Sequence, residues 1–325
     1  MLKKFLEETV TLVEEKMGEG YQVRMEHVLK NNGVELDGIL IMKEGENIAP
    51  NIYLNDYYEE YKCGKTVDSI VSEVIEGYYK YVTQKDNFIS ELNLSFEHFK
   101  DKIYFRLVNF KRNKKLMEEV PYIPFLDLAI TFYCLVEQKE GMIGSLHISN
   151  ELIKEWKIGK AELFKLAMEN TPRLFPVHIR TMDEVVGNLL KKDMDDLLAY
   201  YRKCGVSLEN AKEAEKCCAE VMEHLKKAQE KKMYVITNTA GINGAAVLLY
   251  ENLLKNFCEL RQSDFFILPS SIHEILLIPC NSGFIEEELK EMVREVNRTQ
   301  VPEEDILSNE VYIYHKDGNY FEWEG

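Results

Sequence analysis

The stretch Phe265-Phe266-Ile267-Leu268-Pro269-Ser270-Ser271-Ile272-His273-Glu274-Ile275-Leu276-Leu277-Ile278-Pro279 decides how this chain is read. Two apolar runs flank a short polar hinge, which predicts a hairpin-like strand pair, Phe265–Leu268 with Ile272–Pro279. Just upstream, Met233–Thr237 reads as a strand, Gly241 and Gly244 as a glycine turn, Ala245–Tyr250 as an apolar run and Asn252–Leu260 as a helix. Downstream, an amphipathic helix closes on Arg294-Glu295-Val296-Asn297-Arg298. Strands and helices in that order make residues 233–325 an α+β half.

The polar hinge invites a hydrolase reading, with Ser271 as nucleophile, His273 as base and Glu274 as orienter. Strand geometry opposes it. Side chains alternate faces, so His273 and Glu274 point apart, and Ser271 stands ~7 Å from His273 along a strand. A hydrogen-bonded pair needs about 2.6–3.2 Å. No Gly-x-Ser-x-Gly elbow occurs in the chain. The strand is apolar on both faces, so Glu274 would be a buried carboxylate in need of a partner. Arg294, Asn297 and Arg298 share a helical face by their spacing. The expectation is that Glu274 pairs with Arg294 or Arg298.

Two further polar groups are candidates for binding. Asn238–Gly244 follows a strand and carries two glycines, so its amides could approach an anion. It matches neither the dinucleotide fingerprint nor the P-loop, and Asn243-Gly244 is a common turn pair. Arg173, inside the proline-bounded segment Pro172–Pro176, and Arg180 beyond it could receive an anion or a carboxylate of the protein itself. The bland alternative is a proline-fixed crossover.

Outward from this region, residues 1–120 read as an N-terminal helix, a β-meander and helices. Met1–Met17 is amphipathic, and Glu7, Glu8, Glu14 and Glu15 interrupt any signal-peptide core. Tyr21–Leu29 and Val34–Met42 alternate around Asn31-Asn32-Gly33, a hairpin signal with a physical basis, since that turn needs positive φ. Ile48–Leu54 adds a third strand. The tyrosine-rich helix Tyr57–Tyr61 and a longer helix to about Tyr81 follow. Residues 121–203 read as a hairpin, Leu126–Glu137 with Gly141–Ile148, plus helices continuous with the core. Of these helices, Lys160–Asn170 ends before Pro172, and Thr181 with Glu184 forms a capping box. Residues 204–232 form a charged helical insertion, either packed or an exposed arm. A similar order of elements at His27–Tyr61 and Met233–Leu260 suggests two related α+β halves. The fold class is therefore α+β, with mixed antiparallel sheets built from hairpins and meanders and packed with helices.

The net charge of −16 excludes a broad phosphate-neutralising face, so neither nucleic acid nor an anionic membrane is expected as a partner. No apolar run approaches the ~18–20 residues of a membrane span. Seven cysteines without a Cys-x-x-Cys pair, together with scattered histidines, predict neither metal nor cofactor. Cys134 and Cys258 read as small buried hydrophobes, which fits a reducing, cytoplasmic setting.

Several ordered segments resemble one bacterial family. They are Asn32-Gly33-Val34, Pro50-Asn51-Ile52-Tyr53-Leu54, Asn170-Thr171-Pro172-Arg173-Leu174-Phe175-Pro176, Asn243-Gly244-Ala245-Ala246, Leu268–Glu274 and Val293–Thr299. Together they are similar to the bacterial domain of unknown function 5688 over nearly the whole chain. The resemblance implies a bacterial intracellular protein and no particular activity. The reading that emerges is a non-catalytic cytosolic protein that binds or regulates another protein. Its partner surface would be sought at Tyr57, Tyr58, Tyr61, Tyr78, Tyr79 and Tyr81. The alternative is a small hydrolase or transferase with its site near Ser271 and His273.

Overall fold

A computed structural model describes residues 1–45, 49–84, 94–139, 142–189, 191–192 and 233–323. The charged insertion expected at 204–232 lies outside the described residues. The chain forms two compact units, Met1–Ser95 and Phe96–Gly325. The first boundary thus falls near 95 rather than at 120. The reason is that the strand at 103–109, assigned above to the first segment, pairs with the long strand beyond residue 121.

In the first unit, helix α1 (Leu2–Met17) buries Phe5, Leu6, Thr9, Val13 and Met17, one stripe at helical spacing. Strands β1 (Tyr21–Leu29) and β2 (Glu35–Lys43) pair antiparallel from Tyr21↔Lys43 to Leu29↔Glu35. Their connection is Asn31–Gly33, where Asn32 and Gly33 both adopt positive φ, 60° and 74°. Strand β3 (Asn51–Tyr53) completes the meander on β2. Helices α2 (Asn55–Lys62) and α3 (Val67–Gln84) then close a core whose centre is Ile39, Ile41, Leu54, Ile70, Val71 and Val74. Tyr58 and Tyr61 pack on Phe5, with ring centroids 5.3 and 5.0 Å away.

The second unit starts with a helical turn, α4 (Phe96–Phe99), and contains two antiparallel sheets. The first has β6 (Leu128–Lys139) at its centre, with β4 (Ile103–Asn109) on one side. On the other side lie β5 (Tyr122–Phe125) and then β7 (Met142–His147). Serving two partners in succession explains the length of the apolar run in β6. The short helix α5 (Lys114–Glu119) joins β4 to β5, and α6 (Asn150–Trp156) follows β7.

Helix α7 (Lys160–Leu174) does not stop before Pro172 but carries it inside. Only one helical N–H is lost there, and the next turn is restored by Phe175 N–H donating to Thr171 O at 2.9 Å. The continuation matters for the sheet. The Thr171 hydroxyl accepts from Phe105 N–H (3.1 Å), and the Asn170 amide donates to Ile103 O (3.0 Å). These side chains satisfy backbone groups of β4, whose only strand neighbour among the described residues is β6.

The other sheet runs β13-β12-β10-β11-β9-β8, with β8 (Val177–Thr181), β9 (Tyr234–Asn238), β10 (Phe265–Leu268), β11 (Ile275–Pro279), β12 (Tyr312–His315) and β13 (Tyr320–Glu322). The β12–β13 hairpin was not foreseen in the sequence. Residues 182–189 are helical, and the expected capping box stands before them. Thr181 N–H donates to Glu184 Oε2 at 2.8 Å, and Glu184 N–H donates to the Thr181 hydroxyl at 3.2 Å. Helices α8 (Leu253–Arg261) and α9 (Glu286–Thr299) complete the unit. The suggestion of two related halves fails at Ala245–Tyr250. That run lies in a 3₁₀ helix, Gly244–Leu249, so no hairpin stands opposite the one at 21–43.

Candidate functional site

The segment Pro269–Glu274 is not part of β11, which begins at Ile275. The expected strand start at Ile272 is corrected accordingly. Pro269 to Ser271 run antiparallel beside Ile306 to Ser308 instead. Leu307 N–H donates to Ser270 O, Ser308 N–H to Pro269 O (both 2.9 Å), and Ile272 N–H to Asp305 O at 2.8 Å. Pairing with a strand-like partner this late in the chain lets the segment bend before β11. The argument from alternating faces therefore does not apply to His273 and Glu274.

The bend turns His273 onto the glycine loop. Asn243 N–H donates to its Nδ1 at 3.2 Å, and its Nε2 lies 3.2 Å from Asp305 Oδ1. An amide can donate only to an unprotonated Nδ1, so the ring proton sits on Nε2, facing the carboxylate. In a serine hydrolase, one ring nitrogen faces a carboxylate and the other the nucleophile. Here the Asn243 amide takes the nucleophile's place. The Ser271 hydroxyl is occupied elsewhere, accepting from His273 N–H at 3.1 Å. Ser271, His273 and Asn243 are thus brought together, but as a bonded knot.

Gly244 completes the knot. A Cβ there would strike the Thr237 hydroxyl, the His273 carbonyl and, at 2.8 Å, the Asn238 amide nitrogen. The Thr237 hydroxyl itself donates to His273 O at 2.7 Å. Several amides of the loop and its exit are already bonded. Ala240 N–H donates to the Asn238 side chain, Gly241 N–H to Asn238 O and Ala245 N–H to Ile272 O. A phosphate-cradling role finds no free donors among these amides. Beside the loop, a cavity of ≈ 10 Å³ is lined by Tyr104, Phe175, Asn238 and Asn243 among others. That is room for about one water.

Glu274 is half-buried and has no ion pair or side-chain hydrogen bond among the described residues. The expected pairing with Arg294 or Arg298 does not form. Helix α9 buries Leu289, Val293 and Asn297, which turns Arg294 and Arg298 to solvent. Arg298 closes on Glu295 with both oxygens within 3.1 Å. Asn297 alone faces inward, donating to Ser308 O and Asn309 Oδ1, each at 2.8 Å.

Arg173 reaches back to Asp101 O (2.6 Å) and Asn170 Oδ1 (2.9 Å), tying α7 to the entry of β4. Arg180, on β8, is half-buried, and its Nε has no partner among the described residues. Asp305, the carboxylate that fixes His273, was missed in the sequence, where nothing marks it off from the Glu303-Glu304 run beside it. Arg106 was missed too, although a lone charge inside Ile103–Val108 was a readable signal.

An α+β protein of antiparallel sheets, with the Ser271–His273 constellation closed on itself, is what the fold and site define. The chain belongs to the family of unknown function DUF5688, whose model matches residues 2–316. No curated protein and no solved structure matches it.

Proposed function

We propose that this is a cytosolic, non-catalytic protein that binds or regulates another protein. The observation that carries the reading is the engagement of both His273 ring nitrogens, by Asn243 N–H and by Asp305. A base so placed has no nitrogen left for a serine. Supporting it, Tyr79 and Tyr81 of α3 are 46% and 36% exposed, and tyrosine is a residue type favoured where partners dock. The acidic charge makes a partner with a basic surface the better fit. The buried thiols of Cys134 and Cys258, pushed by burial up to about 12, suit a reducing compartment and no nucleophilic role.

The competing reading, a hydrolase or transferase near Ser271 and His273, is tested directly. A fluorophosphonate probe is applied to the wild type and to Ser271→Ala and His273→Ala variants. No labelling above background is expected in any of them. Labelling of the wild type that disappears in Ser271→Ala would overturn the non-catalytic reading.

A further inference from the structure

Strand β4 carries one charge, Arg106, among Ile103, Tyr104, Phe105, Leu107 and Val108. Alternation puts Tyr104 and Arg106 on one face of the sheet. The register places Tyr133 opposite Tyr104, Thr131 opposite Arg106, and His147 opposite Tyr133. The guanidinium carbon lies 4.0 Å from the Tyr133 ring centroid and 5.3 Å from that of Tyr104. One terminal nitrogen donates to the Ser145 hydroxyl at 2.7 Å and to the Tyr104 hydroxyl. Tyr133 is stacked on the His147 imidazole, with centroids 4.3 Å apart and planes at 8°.

Two features of this cluster are unexplained by folding alone. Arg106 meets no carboxylate among the described residues, in a chain with 56 acidic side chains. Among the described residues, three enclosed polar atoms also lack partners: Arg106 Nε, Thr131 Oγ1 and His147 Nε2. A half-buried cation without a counter-charge is costly, and so is each unpaired polar atom. His147 does not share the charge, because burial and the neighbouring guanidinium keep its imidazole neutral. The cluster therefore presents one positive charge with hydroxyls beside it and an aromatic wall. Arg106, Tyr133, Ser145 and His147 are each only partly buried, which leaves the group reachable from solvent.

We propose that the Arg106–Tyr104–Tyr133–Ser145–His147 cluster binds a small oxyanion, a carboxylate or phosphate, with Arg106 as its counter-charge. One terminal nitrogen holds Ser145 and Tyr104 and Nε is enclosed, which leaves the other terminal nitrogen, unbonded among the described residues, to donate to either group, and the two hydroxyls can turn to donate to it. The site is independent of the reading of His273.

The test is calorimetric titration of the full-length protein with inorganic phosphate and, separately, with citrate, at matched ionic strength. Saturable binding of either is expected. Phosphate alone would assign the phosphate class, and citrate alone the carboxylate class. Arg106→Gln should weaken binding at least about tenfold, the equivalent of one charged hydrogen bond. Should that variant not fold, Ser145→Ala keeps the arginine and should weaken binding severalfold. No saturable binding of either anion, or binding unchanged in the folded variants, overturns the proposal.

Discussion

His273 holds more of the second unit together than its partly exposed ring suggests, because its ring, its amide and its carbonyl are all bonded, to Asn243, Asp305, Ser271 and Thr237. Replacing it with alanine leaves the part-buried Asn243 N–H without its acceptor, a loss of about 1 kcal/mol, the net worth of a typical hydrogen bond. Thermal unfolding of the variant measures this. Gly244 is the tighter constraint. Its φ is unexceptional, and glycine is required there only because backbone and side chain of three neighbours crowd the missing Cβ. Gly244→Ala should destabilise by about 1–3 kcal/mol through overpacking. Denaturant unfolding is the check, and an unchanged midpoint would show that the loop gives way freely. The sequence offered Asn243-Gly244 as a turn, and the turn is there. That its glycine is packed against a histidine 29 positions on was not legible, because contact between distant residues leaves no local mark.

At the scale of elements, the join between α7 and β4 rests on hydroxyl and amide chemistry. Thr171 accepts from Phe105 N–H and donates to Ala167 O at 2.6 Å. Thr171→Val preserves the shape but strips the buried Phe105 N–H of its partner. A loss of about 1–3 kcal/mol is expected, again by the cost of an unmade buried bond, together with faster amide exchange at Phe105 in a hydrogen-exchange measurement. The capping box at Thr181 and Glu184 was readable from spacing alone, since both partners lie within one turn. The persistence of α7 through Pro172 was not. Local rules end a helix before proline, whereas here the Tyr250 hydroxyl donates to Phe175 O at 2.7 Å and secures the last turn from outside.

Across the second unit, two histidines oppose each other in their dependence on pH. Burial, and then the charge of Arg106, push His147 down from 6.5 to about 4. Its folded value lies below its unfolded one, so the unfolded chain takes the proton first. Stability should therefore fall as pH drops from 6.5 towards 4, by about 3 kcal/mol at one pKa unit per 1.36 kcal/mol. His147→Gln should flatten that limb of a pH series of denaturant unfolding curves. His315 shifts the other way. Burial of its ring works to lower its pKa, but the hydrogen bonds with Glu322 (2.6 Å) and Asp264 (3.2 Å) outweigh this and raise it. Its contribution is complete below 6.5 and is lost as pH rises through the folded value. The β12–β13 hairpin should accordingly loosen as pH rises above 6.5 through the raised folded value, and His315→Phe should remove that dependence.

Hydrophobic period and turn chemistry by themselves determined most of the longer helices, the 21–43 hairpin, the β6–β7 hairpin and the α+β class, because each signal is contained within one or two neighbouring elements. They also marked Ser271 and His273 as one polar neighbourhood, to which the structure adds Asn243. What only the tertiary structure decided is how those groups are used. The segment 305–308 pulls Pro269–His273 out of β11, Asp305 fixes the histidine, and α9 turns Arg294 and Arg298 away from Glu274. Arg106 follows the same rule. Its charge was visible in the sequence, but the lack of a carboxylate beside it emerges only when three strands are laid side by side.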